Sequence, residues 1–236
     1  MPAKCVPVRQ TNYSQLEMTR AFIKAWIEIF DQLPEKRQIA IIWAQNTLET
    51  GHTKNMFNNN IGNIKYIPSP GDTEDIEYTM LAKTWEIING KREDFNPPHP
   101  QTWFRSFETL SDGIIHHINF LRNKRYKNVW KAIDAGDPAL FAKLLKQQGY
   151  YTASEESYRK VITSLFNDYM KNPNFENIIK EFNSEITLPE ITLIKEEEAP
   201  TLPQQDLTLP PEVVAPTNQG LFSSIISFIK KIFSKT

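Results

Sequence analysis

Helical spacing of apolar residues runs from residue 14 to 50, disappears between 52 and 108, and returns from about 109. A chain arranged this way can be neither a helical bundle nor a sheet sandwich throughout. It must set its helices around a small β-rich lobe, an α+β arrangement that is mostly helical. Residues 14–31, SQLEMTRAFIKAWIEIFD, predict an amphipathic helix. Ser14 caps it, Glu17 three residues on completes a capping box, and Leu16, Phe22, Ile23, Trp26, Ile27 and Phe30 form its apolar stripe. Leu33-Pro34 ends that element. A second helix is predicted over 35–50, with Gly51 as its stop.

The middle stretch is punctuated by Asn, Pro and Gly. EYTMLAKTWEII followed by NGKRE predicts a strand, an Asn89-Gly90 turn and a returning segment. QTWFRSF is another extended candidate. Helices are then predicted in TLSDGIIHHINFLRN, YKNVWKAIDAG, DPALFAKLLKQQG and SEESYRKVITSLFNDYMKN, with Pro138 well placed at a first helical position. Trp26, Trp43 and Trp130 fall on helical stripes and read as core.

The domain is expected over 1–183. Beyond it the composition shifts: residues 184–219 hold six prolines, seven acidic residues and one lysine. That is a linker composition, extended and unable to bury a core. Residues 220–236, GLFSSIISFIKKIFSKT, predict a short amphipathic helix with Leu, Ile and Phe on one face and Lys230 and Lys231 near the other. It suits lying on a membrane surface. Docking on a protein partner is the alternative.

Charge and cysteine content remove several function classes. The formal net charge is −1, so no global field attracts nucleic acid. One cysteine, Cys5, makes no internal disulfide, and four scattered histidines supply no metal-site spacing. No metal and no other cofactor is expected. The first residues contain no apolar core of signal-peptide length, and no run reaches the roughly 18 apolar residues of a spanning helix. Synthesis in the cytoplasm without a standard export signal is therefore expected.

The stretch that carries chemistry is WAQNTLETGHTKNMFNNNIGNIKY, residues 43–66. Glu49 stands in the last turn of the second helix, two turns above Ile42, so its carboxyl lies on or beside the apolar face. Burial raises a carboxyl pKa, and a carboxyl protonated near neutral pH can act as a general acid. Periodicity alone leaves a second reading open, a helix-end glutamate that caps or pairs with a lysine.

AIIWAQNTLETG…NNNIGNIKY resembles the AQxxLExG…NLFGIK signature of the flagellar-type β-N-acetylglucosaminidases, glycoside hydrolase family 73, in the lysozyme-like superfamily. TWEIINGK resembles the family's β-lobe TxEyxNGk segment. QTWFRSFETLSDGIIHHINFL and RYKNVWKAIDAGDPALFAKLLKQQGYYTASEESYRKVI continue the match in order, over roughly 35–168. The resemblance implies a peptidoglycan hydrolase that cleaves β-1,4 bonds between N-acetylglucosamine and N-acetylmuramic acid. It implies Glu49 as general acid and Glu86 as the second, β-lobe carboxylate, with Tyr158 near the cleaved sugar. Asn60, Gly62 and Lys65 match the loop under the glycan, with Tyr150 behind it. Glu86 can serve as base for water, or the substrate's 2-acetamido group can assist in its place.

The chain departs from the pattern at four points. His52 stands where the family has Trp, and Trp85 or Trp103 is expected to supply that sugar-stacking wall. Ile61 replaces an aromatic residue, two extra residues precede Tyr158, and the insert PSPGDTED is private to this chain. The loop's asparagines are expected to line a groove for hydroxyl and acetamido groups. A wall hydrolase with no export signal and a cationic amphipathic tail has the profile of a bacteriophage lysis or virion-borne enzyme. Its tail would meet anionic membrane or a virion protein. A lytic transglycosylase is the alternative enzyme. A non-catalytic glycan-binding or virion structural protein is the alternative outside enzymes.

Overall fold

The computed structural model describes residues 4–66, 76–88, 91–151 and 153–181. The expected linker, the amphipathic tail, the PSPGDTED insert and the Asn89-Gly90 turn lie outside the described residues. Among the described residues, no helix is long and apolar enough to cross a membrane.

Helix α1, Gln15–Phe30, carries the predicted capping box: the Ser14 hydroxyl accepts from the Glu17 amide while the Glu17 carboxylate accepts from Ser14. Helix α2, Lys36–Thr50, runs through the centre of the domain, and Ile39 to Thr47 are all buried. It is wrapped on every side, so it has no solvent face to read as amphipathic. Gly51, in the left-handed region at φ 57°, ends it and returns its N–H to the Thr47 carbonyl. Helices α3 (Leu110–Arg122), α4 (Trp130–Ala135), α5 (Pro138–Gln147) and α6 (Glu155–Lys171) complete the helical part with a segment at 174–181. Asp137 caps α5 at both the Ala139 and Leu140 amides, as the Asp-Pro start predicts. α6 lies along α2, and α3 lies along α1. Trp26 stacks on Trp130 at 5.8 Å and meets Phe30 at 4.5 Å, so the three helical tryptophans expected in the core pack there, Trp43 against Tyr169. Each such ring stabilises the fold by roughly 2–3 kcal/mol through area removed from water.

The β lobe has two small sheets. Strands β1 (Lys4–Cys5), β2 (Tyr78–Leu81) and β5 (Trp103–Ser106) form one, in the order β1-β2-β5, parallel then antiparallel. Strands β3 (Thr84–Ile88) and β4 (Lys91–Phe95) form an antiparallel ribbon, in which Ile88 pairs with Lys91 across the expected two-residue connection. The participation of residues 4–5 was not expected. Two residues are too few to show alternation.

The asparagine-rich loop between α2 and the lobe is structural. Asn58, Asn59 and Asn63 adopt positive φ of 46°, 56° and 48°, a region that asparagine tolerates better than most residues. Asn58 donates to Pro7 O and Ser106 Oγ, and Asn59 donates to the carbonyls of Phe107 and Glu108. The loop is therefore tied to residues 48–51 positions away. Its amides satisfy buried backbone carbonyls that would otherwise be stranded.

Candidate active site

Glu49 sits where α2 stops, and α6 comes over it. The Tyr158 hydroxyl, on the first turns of α6, donates to Glu49 Oε1 at 3.3 Å. Asn63 Nδ2 donates to the Glu49 backbone carbonyl at 2.5 Å, which pins the helix end from the loop side. Burial raises the Glu49 pKa to about 7, and the Tyr158 hydrogen bond opposes part of that rise. A carboxyl with this poise is still substantially protonated near neutral pH and can release its proton to a leaving-group oxygen.

Tyr158 is itself held in place. Its ring lies flat on Tyr151, with centroids at 3.8 Å and planes 7° apart, and the Tyr151 hydroxyl donates to Ala142 O at 2.9 Å. Burial, and then the neighbouring Glu49, raise the Tyr158 pKa well above the ordinary tyrosine value, so it remains a donor. Removing the donor destabilises the Glu49 carboxylate. Tyr158→Phe is thus expected to lower kcat/KM by roughly tenfold and to move the basic limb of its pH profile upward. A limb that stays put would show that the hydroxyl does not act on the acid.

Glu49 lines a cleft of about 580 Å³ between the helical part and the β lobe. Lys65, Lys83, Trp85 and Phe104 line its lobe wall, and Asn55, Phe57 and Asn63 line the loop side. Trp85 is 52% exposed, with the Arg92 guanidinium 5.0 Å from its ring centroid. An exposed indole suits the face of a sugar ring. Glu86 lies next to Trp85 on β3, opposite Glu93 in the register.

The structure thus brings Glu49, Tyr158, Lys65 and Trp85 to one place. Three other expected residues lie elsewhere. Asn60 is 1% exposed, and its amide is consumed by the loop: Nδ2 donates to Ile64 O and Arg105 O, while Oδ1 accepts from Ile64 N. It holds the loop under the cleft and presents nothing to a ligand. Gly62 is buried where a Cβ would lie 2.5 Å from His117 Nδ1, so it is glycine for packing. Gly62→Ala is expected to cost about 2 kcal/mol by overpacking. An unchanged urea midpoint would show that His117 swings aside. Trp103 adjoins Phe104 in β5, and alternation along the strand turns it to the opposite face from the cleft-lining Met80–Phe104 pair.

Tyr150 lies behind the acid. It is half-buried, packs edge-on against Tyr126 at 5.7 Å, and feels the Glu49 charge. Nearby on α2, Gln45 Oε1 meets His117 Nε2 at 3.1 Å. Burial holds the His117 pKa down at about 3, so this partner of Gln45 is a neutral imidazole. Sequence reasoning pointed to the loop's asparagines, of which Asn63 lines the cleft, without naming that residue, and it missed Lys83 and the Tyr151 stack.

A mostly helical fold with a small β lobe, and a buried carboxyl at a helix end beside the cleft between them, fit a lysozyme-like glycoside hydrolase. The family model for glucosaminidases, described as mannosyl-glycoprotein endo-beta-N-acetylglucosaminidase, matches residues 32–171, and the chain belongs to that family. No curated protein matches the chain. Among solved structures, a C-terminally truncated glycoside hydrolase domain from Salmonella typhimurium FlgJ is similar, at 18% identity and a TM-score of 0.42. That match covers 66% of this chain and 96% of the other.

Proposed function

We propose that the protein hydrolyses the β-1,4 bonds between N-acetylglucosamine and N-acetylmuramic acid in peptidoglycan, with Glu49 as proton donor. The observation that carries this reading is the Glu49 carboxyl, raised to about 7 by burial at the wall of the cleft. Protonation of the glycosidic oxygen by Glu49 starts bond cleavage. Trp85 offers a platform for one sugar, and Tyr158 orients the acid. Glu86 is the candidate base for the attacking water, and the substrate's acetamido group is its competitor for that role. Bacterial wall degradation is the setting that fits, with a bacteriophage lysis or entry enzyme as the source. Residues 220–236 would then bring it to anionic membrane or to a virion protein.

The test is digestion of purified peptidoglycan by wild type and Glu49→Gln, with mass spectrometry of the products. New reducing ends from wild type alone support the reading, and the sugar at those ends names the bond. Anhydro-muramic ends would make the enzyme a lytic transglycosylase. Intact strands after incubation with folded wild type would leave a glycan-binding or structural role.

A further inference from the structure

The lobe wall of the cleft carries charge that proton donation does not use. Of the eleven described residues that line it, three ionise: Glu49, Lys65 and Lys83. Glu49 holds its proton below about pH 7, so both charges left on these residues in the working state are positive. This is not the overflow of a basic protein, since the chain's net charge is −1. Charge is sorted locally: a second cleft, of about 530 Å³, is lined by Glu77, Glu108 and Asp112.

The two lysines have separate anchors. Lys65 bridges to Phe104 and extends Nζ to Gln101 Oε1 at 2.5 Å. Lys83 is exposed in the link between β2 and β3, where the Ala82 amide is tied to Thr102 O at 3.0 Å. That link places Lys83 two residues before the exposed Trp85. Neither lysine contributes to the Glu49 pKa, which is set by burial and Tyr158. Their charge therefore does not tune the acid. An uncharged polymer of β-1,4-linked N-acetylglucosamine gives two ammonium groups nothing to pair with. A muramyl residue does: it hangs a lactyl group from O3, either as a free carboxylate or extended into a peptide with carboxylates of its own. An ammonium beside a sugar-stacking ring can meet such a carboxylate while the ring holds the sugar.

We infer that Lys83, assisted by Lys65, selects a carboxylate-bearing amino-sugar strand over a neutral one. This deepens the peptidoglycan reading and rests on it. The test uses the full chain carrying Glu49→Gln and three muramyl tetrasaccharides: peptide-free, its methyl ester, and peptide-bearing. Calorimetry is expected to find the peptide-free acid bound about tenfold more tightly than its ester, the factor of one charge-assisted hydrogen bond partly exposed to water. High salt and Lys83→Gln should each erase that preference. A preference confined to the peptide-bearing strand would support the inference and assign the carboxylate to the peptide. Equal binding of acid, ester and peptide-bearing strand would overturn the inference alone. So would a Lys83→Gln loss that is the same for acid and ester, because the lysine would then serve the cleft wall. Failure of all three to bind would sink the peptidoglycan reading and the inference with it.

Discussion

Glu49→Gln is expected to abolish glycan cleavage and, at pH 8, to make the protein more stable than wild type. Loss of a general acid costs about 10²–10⁴ in rate. The stability gain follows from the same burial. Below pH 4 the carboxyl is protonated in both folded and unfolded chains, so it costs nothing. As pH rises past the usual value of 4.5, the unfolded chain releases its proton while the folded chain keeps it until about 7. Folding is penalised progressively across that window, and the penalty is complete above it, at about 3 kcal/mol. The amide never ionises and still accepts from Tyr158. Urea unfolding should therefore show the variant ahead by up to about 3 kcal/mol at pH 8, with the gap closing towards pH 4. A gap independent of pH would mean that the side chain ionises freely in the folded protein.

Asn60→Leu is the second large effect, and it falls on stability. The substitution strands the Ile64 N–H and removes one donor from each of the Ile64 and Arg105 carbonyls, all in a buried loop. Leaving such groups unpaired costs about 1–3 kcal/mol apiece, partly relieved because Ile64 O also accepts from the Arg105 amide. A net loss of about 3 kcal/mol is expected, with KM changed less than about twofold at temperatures where the variant is folded. A large rise in KM with unchanged stability would restore the glycan-contact role that the sequence suggests for this residue.

The contrast between Glu49 and Asn60 shows how far a single sequence reaches. α1 with its capping box, the end of α2 at Gly51 and the start of α5 at Asp137-Pro138 are local devices, and all are legible. Glu49 is legible because the motif around it is contiguous, although amphipathicity was the wrong ground for its burial. α2 is enclosed all round, and Tyr158, which caps the acid, comes from 109 residues away. The asparagines mark a loop correctly, yet their amide partners lie near residues 7 and 105–108. An amide aimed at a sugar and an amide aimed at a distant backbone carbonyl have the same local sequence, so only the fold separates them. The same holds for Trp85 and Trp103, which the pattern treats alike: Trp85, on β3, lines the cleft, and Trp103, on β5 of the other sheet, is not among the described residues that line it.

The first residues of the chain carry a consequence of another kind. Lys4 and Val6 donate to the Glu77 and Thr79 carbonyls, which covers one edge of β2. Arg9 exchanges hydrogen bonds with Asn58, and the Tyr13 hydroxyl donates to Asn59. The family match begins only at residue 32. The length of chain that records common descent is therefore shorter than the length that closes the β lobe. A fragment trimmed at the family boundary would keep Glu49, Tyr158 and the cleft-lining residues on paper. It would lose α1, uncover a strand edge, and slacken the asparagine loop on which the acid's helix ends.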